Sequence, residues 1–111
     1  MKLINAIIQP TKLSTVREAL REIGIDQVSI LDAIGYGRQR GQKASFRGNE
    51  YRVDMLRKIT LEVLVQDDDV ERVIDAIGTN ARTGSDGEIG DGKIFVLPAA
   101  EAIDLAPTSR L

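Results

Sequence analysis

The chain has 111 residues, a length that suits a single domain spanning 1–111, and it contains neither cysteine nor histidine. Without cysteine there can be no disulfide, thiolate metal site or cysteine nucleophile, and without histidine the commonest general base and metal ligand is missing. The net charge of −2 disfavours general nucleic-acid binding. The opening apolar run ends at Gln9-Pro10 and no apolar stretch reaches the length of a membrane span, so we expect a cytoplasmic protein.

The first part of the chain predicts a strand, a helix and a second strand. Residues 2–8 are apolar and rich in β-branched side chains, which favours a strand. Residues 12–23 place apolar side chains at helical spacing, and Gly24 is a suitable C-cap for that helix. A short apolar run over 28–31 predicts the second strand.

The second part repeats this order. Residues 59–65 alternate, so that Ile59, Leu61, Val63 and Val65 face one way and Thr60, Glu62 and Leu64 the other. The acidic run 67–69 suits the positive end of a helix dipole, and helical spacing follows from 70 to 78, ending at a glycine. Residues 94–97 predict a fourth strand that stops at a proline, and the tail over 104–111 has no periodic pattern.

The element order β-α-β-β-α-β is that of the ferredoxin-like fold in the α+β class. Right-handed crossovers place both helices on one face of a four-stranded antiparallel sheet. The opposite face of the sheet then needs a cover, and self-association is one way to provide it. Strands two and three are joined by a long loop, assigned to 36–58, where connections of about 4–6 residues are usual.

This loop carries seven basic side chains against two acidic ones, and its length indicates a functional segment. Its tip places Tyr51 among charged residues, where the ring could pack, bind a partner or be modified. RNA binding is an alternative for such a basic loop, but its aromatic residues are not arranged as a stacking motif. We therefore expect no nucleic-acid partner.

A glycine-rich segment over 82–93 could bind phosphate. Gly87 to Lys93 fits G-x-x-x-x-G-K, but Ile94 stands where a P-loop needs a hydroxyl, and a strand follows instead of a helix. A P-loop ATPase is therefore disfavoured. Flexible glycines still expose backbone N–H groups to an anion, and the lysine adds a positive charge, although a plain surface turn is an equally simple interpretation. Gly35 to Gly41 misses the dinucleotide fingerprint by one position.

Together these segments resemble the PII signal-transduction family of nitrogen regulators over nearly the whole chain. The matching segments are Ile7-Ile8, Leu13-x-x-Val16-Arg17-Glu18-Ala19-Leu20, Gly35-x-Gly37-Arg38-Gln39-x-Gly41, Arg47-Gly48-x-Glu50-Tyr51-x-Val53-Asp54, Ala81-Arg82-Thr83-Gly84 and Ile89-Gly90-Asp91-Gly92-Lys93-Ile94-Phe95-Val96. The resemblance implies a regulator and not an enzyme. It implies a homotrimer with a nucleotide in each cleft between subunits, where ATP and ADP compete.

The resemblance also implies which residues bind. Those implied for the nucleotide are Ile7, Ser29, Gly35, Gly37, Arg38, Glu62, Leu64, Gly90, Asp91, Gly92 and Lys93. With ATP and Mg²⁺ bound, 2-oxoglutarate is implied at the loop root, held by Gln39, Gly41 and Lys58, with Gln39 the direct magnesium ligand. Tyr51 is the residue that some branches nucleotidylate. The loop is implied to control a regulated enzyme or a membrane transporter such as an ammonium channel.

Three departures from the family pattern bear on ligand preference. Residues 85–87 form an insertion, and Glu88 stands where a lysine is common. Asp104 and Ala106 replace two tail arginines that reach a neighbour's phosphates, and each lost charged hydrogen bond is worth about 1.5–3 kcal/mol, roughly tenfold or more in affinity. Gln9 and Thr11 also differ from the family. An atypical PII-like sensor of carbon or energy status, binding ADP or AMP and a bicarbonate-type ligand, is therefore the alternative.

Overall fold

The computed structural model describes residues 1–40, 51–106 and 108–110. Two helices and six strands follow one another along these residues, and a short 3₁₀ turn leads into each helix. The elements are β1 (Lys2–Ile8), α1 (Leu13–Glu22), β2 (Ser29–Arg40), β3 (Tyr51–Val65), α2 (Val70–Ala81), β4 (Gly92–Pro98), β5 (Ile103–Leu105) and β6 (Thr108–Arg110). No helix in the described ranges is long and apolar enough to cross a membrane.

The first four strands form one antiparallel sheet in the order β2-β3-β1-β4. Ile8 of β1 lies opposite Ile59 of β3 on one side and Gly92 of β4 on the other. The central strands therefore come from different parts of the chain, as the ferredoxin-like order requires. The predicted fold class is confirmed.

Strand alternation and helical spacing together build the core. The inward-facing residues of β1 are fully buried or nearly so, and they meet the apolar stripes of both helices and the inward-facing residues of β3. These buried side chains are Ile4, Ala6, Ile8, Val16, Leu20, Ile59, Leu61, Val63, Val65, Val73, Ile77 and Ala81. One face of the sheet is thus committed to packing against the helices.

The two helices end differently. Gly24 has φ +88°, and the Ile25 N–H donates to the Leu20 carbonyl at 2.9 Å, so the predicted C-cap closes α1. The second helix was predicted to end at Gly78 but continues to Ala81. Glycine inside a helix costs about 1 kcal/mol relative to alanine. Because Ala81 is buried in the core, packing of the next turn offsets that cost.

Strands β2 and β3 are longer than their predicted ranges of 28–31 and 59–65. Residues 36–40, assigned above to the long loop, instead pair with 51–55, from Tyr36 opposite Met55 to Arg40 opposite Tyr51. Residues 56–58 of the same predicted loop pair with 33–35. The connection between the strands is thereby reduced to 41–50, which lies outside the described residues. This extension of the two strands is held by hydrogen bonds between their backbones. Alternation of apolar and polar side chains, from which strands are predicted, does not reveal such pairing.

The opposite face of the sheet exposes apolar side chains. Leu31 of β2 and Phe95 and Leu97 of β4 are 49%, 47% and 43% exposed.

The tail, for which no regular structure was predicted, contains a small hairpin in which β5 pairs with β6. Each of these strands has three residues, which is too few for an alternating pattern to be recognised in the sequence.

Candidate functional site

The site begins with the glycine loop, residues 82–91, between α2 and β4. Its glycines Gly84, Gly87 and Gly90 have φ values of +71°, +82° and +97°, in a region that L side chains rarely adopt. Gly92 follows with φ +130°, and a Cβ there would lie 1.8 Å from the Ile7 carbonyl oxygen. Only glycine therefore allows the loop to enter β4 so close to β1.

The carboxylate of Asp91 closes this loop on itself. It accepts hydrogen bonds from the Thr83 N–H at 2.8 Å, the Thr83 hydroxyl at 2.7 Å and the Glu88 N–H at 2.8 Å. Burial tends to raise the pKa of Asp91, but these hydrogen bonds, with the charge of Lys12, outweigh burial and leave the pKa below its ordinary value. Asp91 is therefore a charged residue that fixes both ends of the loop.

Two side chains, one just after β1 and one from β3, hold the end of the loop. The Gln9 amide donates to the Gly90 carbonyl and to the Asp91 carboxylate, each at 3.3 Å. The Lys58 ammonium donates to the same Gly90 carbonyl. Burial lowers the pKa of Lys58, and the charge of Asp91 opposes that shift in part. Because Lys58 belongs to β3, the glycine loop is tied directly to the strand that leads to the long connection.

A cleft of about 310 Å³ opens beside this loop, between α2 and the adjoining ends of β1 and β4. Small-molecule sites start at about this volume and usually combine an apolar lining with a few polar groups. Here the lining is mostly aliphatic with two cations and one carboxylate. The lining residues are Ile7, Ile8, Ile74, Ile77, Gly78, Ala81, Arg82, Asp91, Gly92, Lys93 and Ile94.

The structure brings part of the predicted set together. Ile7, Asp91, Gly92 and Lys93 line the cleft, and Lys58 contacts the adjoining Gly90. In β3, Glu62 and Leu64 lie on the sheet face that points away from the helices, where Glu62 is opposite both Ser29 and Asn5. The Asn5 amide donates to the Glu62 carboxylate at 3.3 Å.

The remaining predicted residues are placed by strand register alone. Gly35, Gly37, Arg38 and Gln39 follow one another along β2, opposite Leu56, Asp54, Val53 and Arg52. Tyr51 is the first residue of β3. Gly41 lies outside the described residues. For the predicted magnesium site, the structure therefore gives only the position of Gln39 along β2. In the described ranges, no group of three or more acidic side chains could hold a metal ion.

Sequence reasoning missed four residues that shape the site: Gln9, Gly78, Arg82 and Thr83. It named Gln9 only as a departure from the family, and nothing in the sequence connects position 9 with position 90. The pairing of Ile8 with Ile59 supplies that connection, because it brings Gln9 beside Lys58. Thr83 carried a weak signal, as a hydroxyl residue at the entrance of a glycine-rich segment.

Comparisons with known proteins agree with the fold. The family model described as "Nitrogen regulatory protein P-II" matches residues 1–108. A nitrogen regulatory protein P-II of Bradyrhizobium diazoefficiens is 52% identical over 93% of this chain and 89% of its own length, and one from Azospirillum brasilense is 50% identical over the same shares. The nitrogen regulatory protein P-II 1 of Escherichia coli is 48% identical, again over 93% and 89%.

A solved structure is also similar. The crystal structure of Arabidopsis thaliana PII bound to citrate aligns with a TM-score of 0.74 at 35% identity, covering 98% of this chain and 83% of that one. Proteins of this family regulate partner proteins and respond to small-molecule effectors. The chain therefore belongs to the nitrogen regulatory protein P-II family, whose members are signal-transduction regulators and not enzymes.

Proposed function

We propose that this protein senses adenine nucleotides and 2-oxoglutarate and passes that information to partner proteins through the long connection between β2 and β3. The observation that carries the proposal is the position of Lys58. This lysine belongs to the strand that leads to the connection, and it also contacts the glycine loop at Gly90. One side chain thus joins a candidate phosphate site to a candidate partner-binding segment.

The glycine loop has the chemistry to bind a polyphosphate. Asp91 uses the N–H groups of Thr83 and Glu88, whereas those of Ile89 and Gly90 have no hydrogen-bond partner in the described part of the chain. Free N–H groups on a loop of left-handed glycines attract anions. Lys93 stands at the end of the loop on the same cleft and adds a positive charge. ATP and ADP are therefore the proposed nucleotides.

The adenine base would lie on the sheet face away from the helices. Ile7 and Leu64 provide apolar surface there, while Glu62 and Ser29 provide polar groups at neighbouring register positions. Gly35, Gly37 and Arg38 extend the same proposed site along β2. An adenine ring needs both a flat apolar contact and hydrogen-bonding partners at its edge, and this part of the sheet supplies the two together.

The second ligand, 2-oxoglutarate, is proposed at the root of the connection. A dicarboxylate needs a cationic partner, and the Lys58 ammonium lies beside the glycine loop, where it contacts Gly90. Gln39 and Gly41 would complete this site. Mg²⁺ commonly takes its oxygens from substrate phosphates and one or two protein groups, so a single ligand at Gln39 is compatible with magnesium held by ATP and the oxo acid. The related Arabidopsis protein binds citrate, which is also a polycarboxylate.

A homotrimer in the cytoplasm is the proposed form of the protein. The exposed Leu31, Phe95 and Leu97 lie on one sheet face, and contact with copies of the same chain would remove them from water. In that assembly the connection, with Tyr51 at the start of β3, would reach a regulated enzyme or a transporter such as an ammonium channel. Nucleotidylation of Tyr51 is an additional proposal that mass spectrometry of protein from nitrogen-starved cells would test.

Calorimetric titration tests the ligand proposal. ATP, ADP and AMP would each be titrated with and without 2-oxoglutarate and Mg²⁺. We expect ATP to bind more tightly when both are present, and ADP to compete with ATP without that gain. The proposal is wrong if no adenine nucleotide binds at low millimolar concentration.

The Lys58→Met variant separates the two ligands. Removing the ammonium group should abolish the gain from 2-oxoglutarate, because the charged partner of its carboxylate is lost. Arg57→Gln is the matched control, since Arg57 is the neighbouring exposed cation and pairs only loosely with Asp32 at 3.5 Å. An unchanged 2-oxoglutarate response in Lys58→Met would remove this lysine from the proposed site.

A second candidate function is a PII-like sensor of carbon or energy status that favours ADP or AMP. Asp104 is exposed on β5 of the tail hairpin and brings a negative charge to a segment that carries phosphate-binding arginines in the resembling family. In this case the same titrations would show tighter binding of ADP or AMP than of ATP, no gain from 2-oxoglutarate, and a response to bicarbonate.

A further inference from the structure

Gly78 lies inside α2 on its buried side, in a position where helices rarely accept glycine without a packing reason. A Cβ built on Gly78 would lie 3.4 Å from the central carbon and from both terminal nitrogens of the Arg82 guanidinium group. The guanidinium group therefore lies directly over Gly78, at a distance at which an added Cβ would just touch it. Arg82 is the first residue after α2, and its side chain folds back along the helix toward Gly78.

The inserted segment 85–87 lies against the other end of the same side chain. A Cβ on Gly87 would lie 3.5 Å and 3.7 Å from Cγ and Cδ of Arg82, and Gly87 has φ +82°. The arginine is thus placed between a glycine of the helix and a glycine of the insertion. Packing of this kind limits the rotamers of a long side chain, which lowers the entropy lost when it binds a ligand.

The guanidinium group itself is available for a ligand. Arg82 has no side-chain hydrogen bond or ion pair with any residue in the described ranges, and it lines the same cleft as Gly92 and Lys93. Guanidinium presents five donors in a planar fork that matches two oxygens of one phosphate. The cleft therefore has a second cation on its helix side, opposite the end of the glycine loop.

We infer that Arg82 is a phosphate-binding residue, which holds a β- or γ-phosphoryl group of the nucleotide in the cleft between α2 and β4. The inference rests on the proposed function, because it assigns one contact of the proposed nucleotide. It also gives the insertion a role, since Gly87 positions the arginine. Adenosine di- and triphosphates are the ligand class, and a monophosphate is too short to gain from this contact.

The test compares Arg82→Gln with Arg72→Gln in calorimetric titrations with ATP, ADP and AMP in the presence of Mg²⁺. Arg72 is the matched control, because it lies on α2, the helix that Arg82 follows, is exposed, and already donates to Asp69 at 2.9 Å and to the Ile23 carbonyl at 3.2 Å. We expect Arg82→Gln to weaken ATP binding about tenfold and AMP binding less than about twofold. Arg72→Gln should change neither affinity, and Arg82→Lys should recover part of the loss.

Every other result of these titrations either overturns or supports the assignment of Arg82 to the phosphate. ATP binding by Arg82→Gln at the strength of the wild type would overturn the inference while leaving the proposed function intact. An equal loss for ATP and AMP would also overturn it, because it would indicate a change in loop shape. If the wild type binds no nucleotide, the proposed function fails, and inorganic tripolyphosphate then tests Arg82. Tenfold weaker tripolyphosphate binding in Arg82→Gln supports the phosphate contact, and equal or absent binding overturns it.

Discussion

The two faces of the central sheet have different compositions and different roles. On the face toward the helices, β1 contributes Ile4, Ala6 and Ile8, and all three are buried. On the face away from them, the intervening residues are polar or partly exposed, and Ile7 meets the proposed nucleotide site. Because successive side chains of a strand point to opposite faces, the residues of one face can be chosen independently of those of the other. Stability should therefore depend on the face toward the helices, and assembly on the face away from them.

Truncation of a core side chain gives the largest expected effect. Leu20 is fully buried, so Leu20→Ala should lower the free energy of unfolding by about 2–5 kcal/mol, through lost transfer energy and the cavity left behind. Urea denaturation measures this loss. Leu31→Ala is the control on the opposite face, and it should reduce self-association while changing the unfolding of a single chain much less. Equal losses in both variants would contradict the division between the faces.

Asp91→Asn is expected to have an intermediate effect, centred on the glycine loop. The carboxylate accepts three short hydrogen bonds, so its neutralisation should cost about 1.5–3 kcal/mol and weaken ATP binding by loosening the loop. Asp75→Asn, an exposed change on α2, should have little effect on either quantity.

The Asp91 carboxylate should also make the free energy of unfolding depend on pH, and the direction of its pKa shift gives the sign. The pKa of Asp91 is lower in the folded chain than in the unfolded chain, so the charged form favours folding. Its contribution is complete above about pH 4, the unfolded value, and disappears as the pH falls through the lower folded pKa. Urea titrations below pH 4 should show a smaller acid-dependent loss of stability in Asp91→Asn than in the wild type. An identical loss would exclude Asp91 as its source.

Two glycine substitutions give the smallest expected effects, of opposite sign. A Cβ at Gly78 would make ordinary van der Waals contacts at 3.4 Å, so Gly78→Ala should stabilise the protein by about 0.5–1 kcal/mol through helix propensity. Gly24 has φ +88°, so Gly24→Ala should destabilise it by about 1 kcal/mol although nothing lies within 4 Å. Thermal and urea unfolding measure both, and shifts of the same sign would contradict the assignment.

The sequence alone determined the secondary elements of the core and the fold. Period-two alternation in 59–65 and helical spacing in 12–23 are local properties, and burial of one side of each element follows from them. The glycine-rich segment and the lysine at its end were likewise visible as candidate phosphate ligands. These features need no knowledge of which distant residues meet.

Only the tertiary structure decided how the site is assembled. The contact of Lys58 and Gln9 with Gly90 joins residues that are far apart in the chain, and strand register alone brings them together. The extension of β2 and β3 over residues given to a loop depends on backbone pairing, and the continuation of α2 past Gly78 depends on the burial of Ala81. The hydrogen bonds that the Asp91 carboxylate accepts from the Thr83 and Glu88 N–H groups also depend on how the loop folds, and the sequence does not show them.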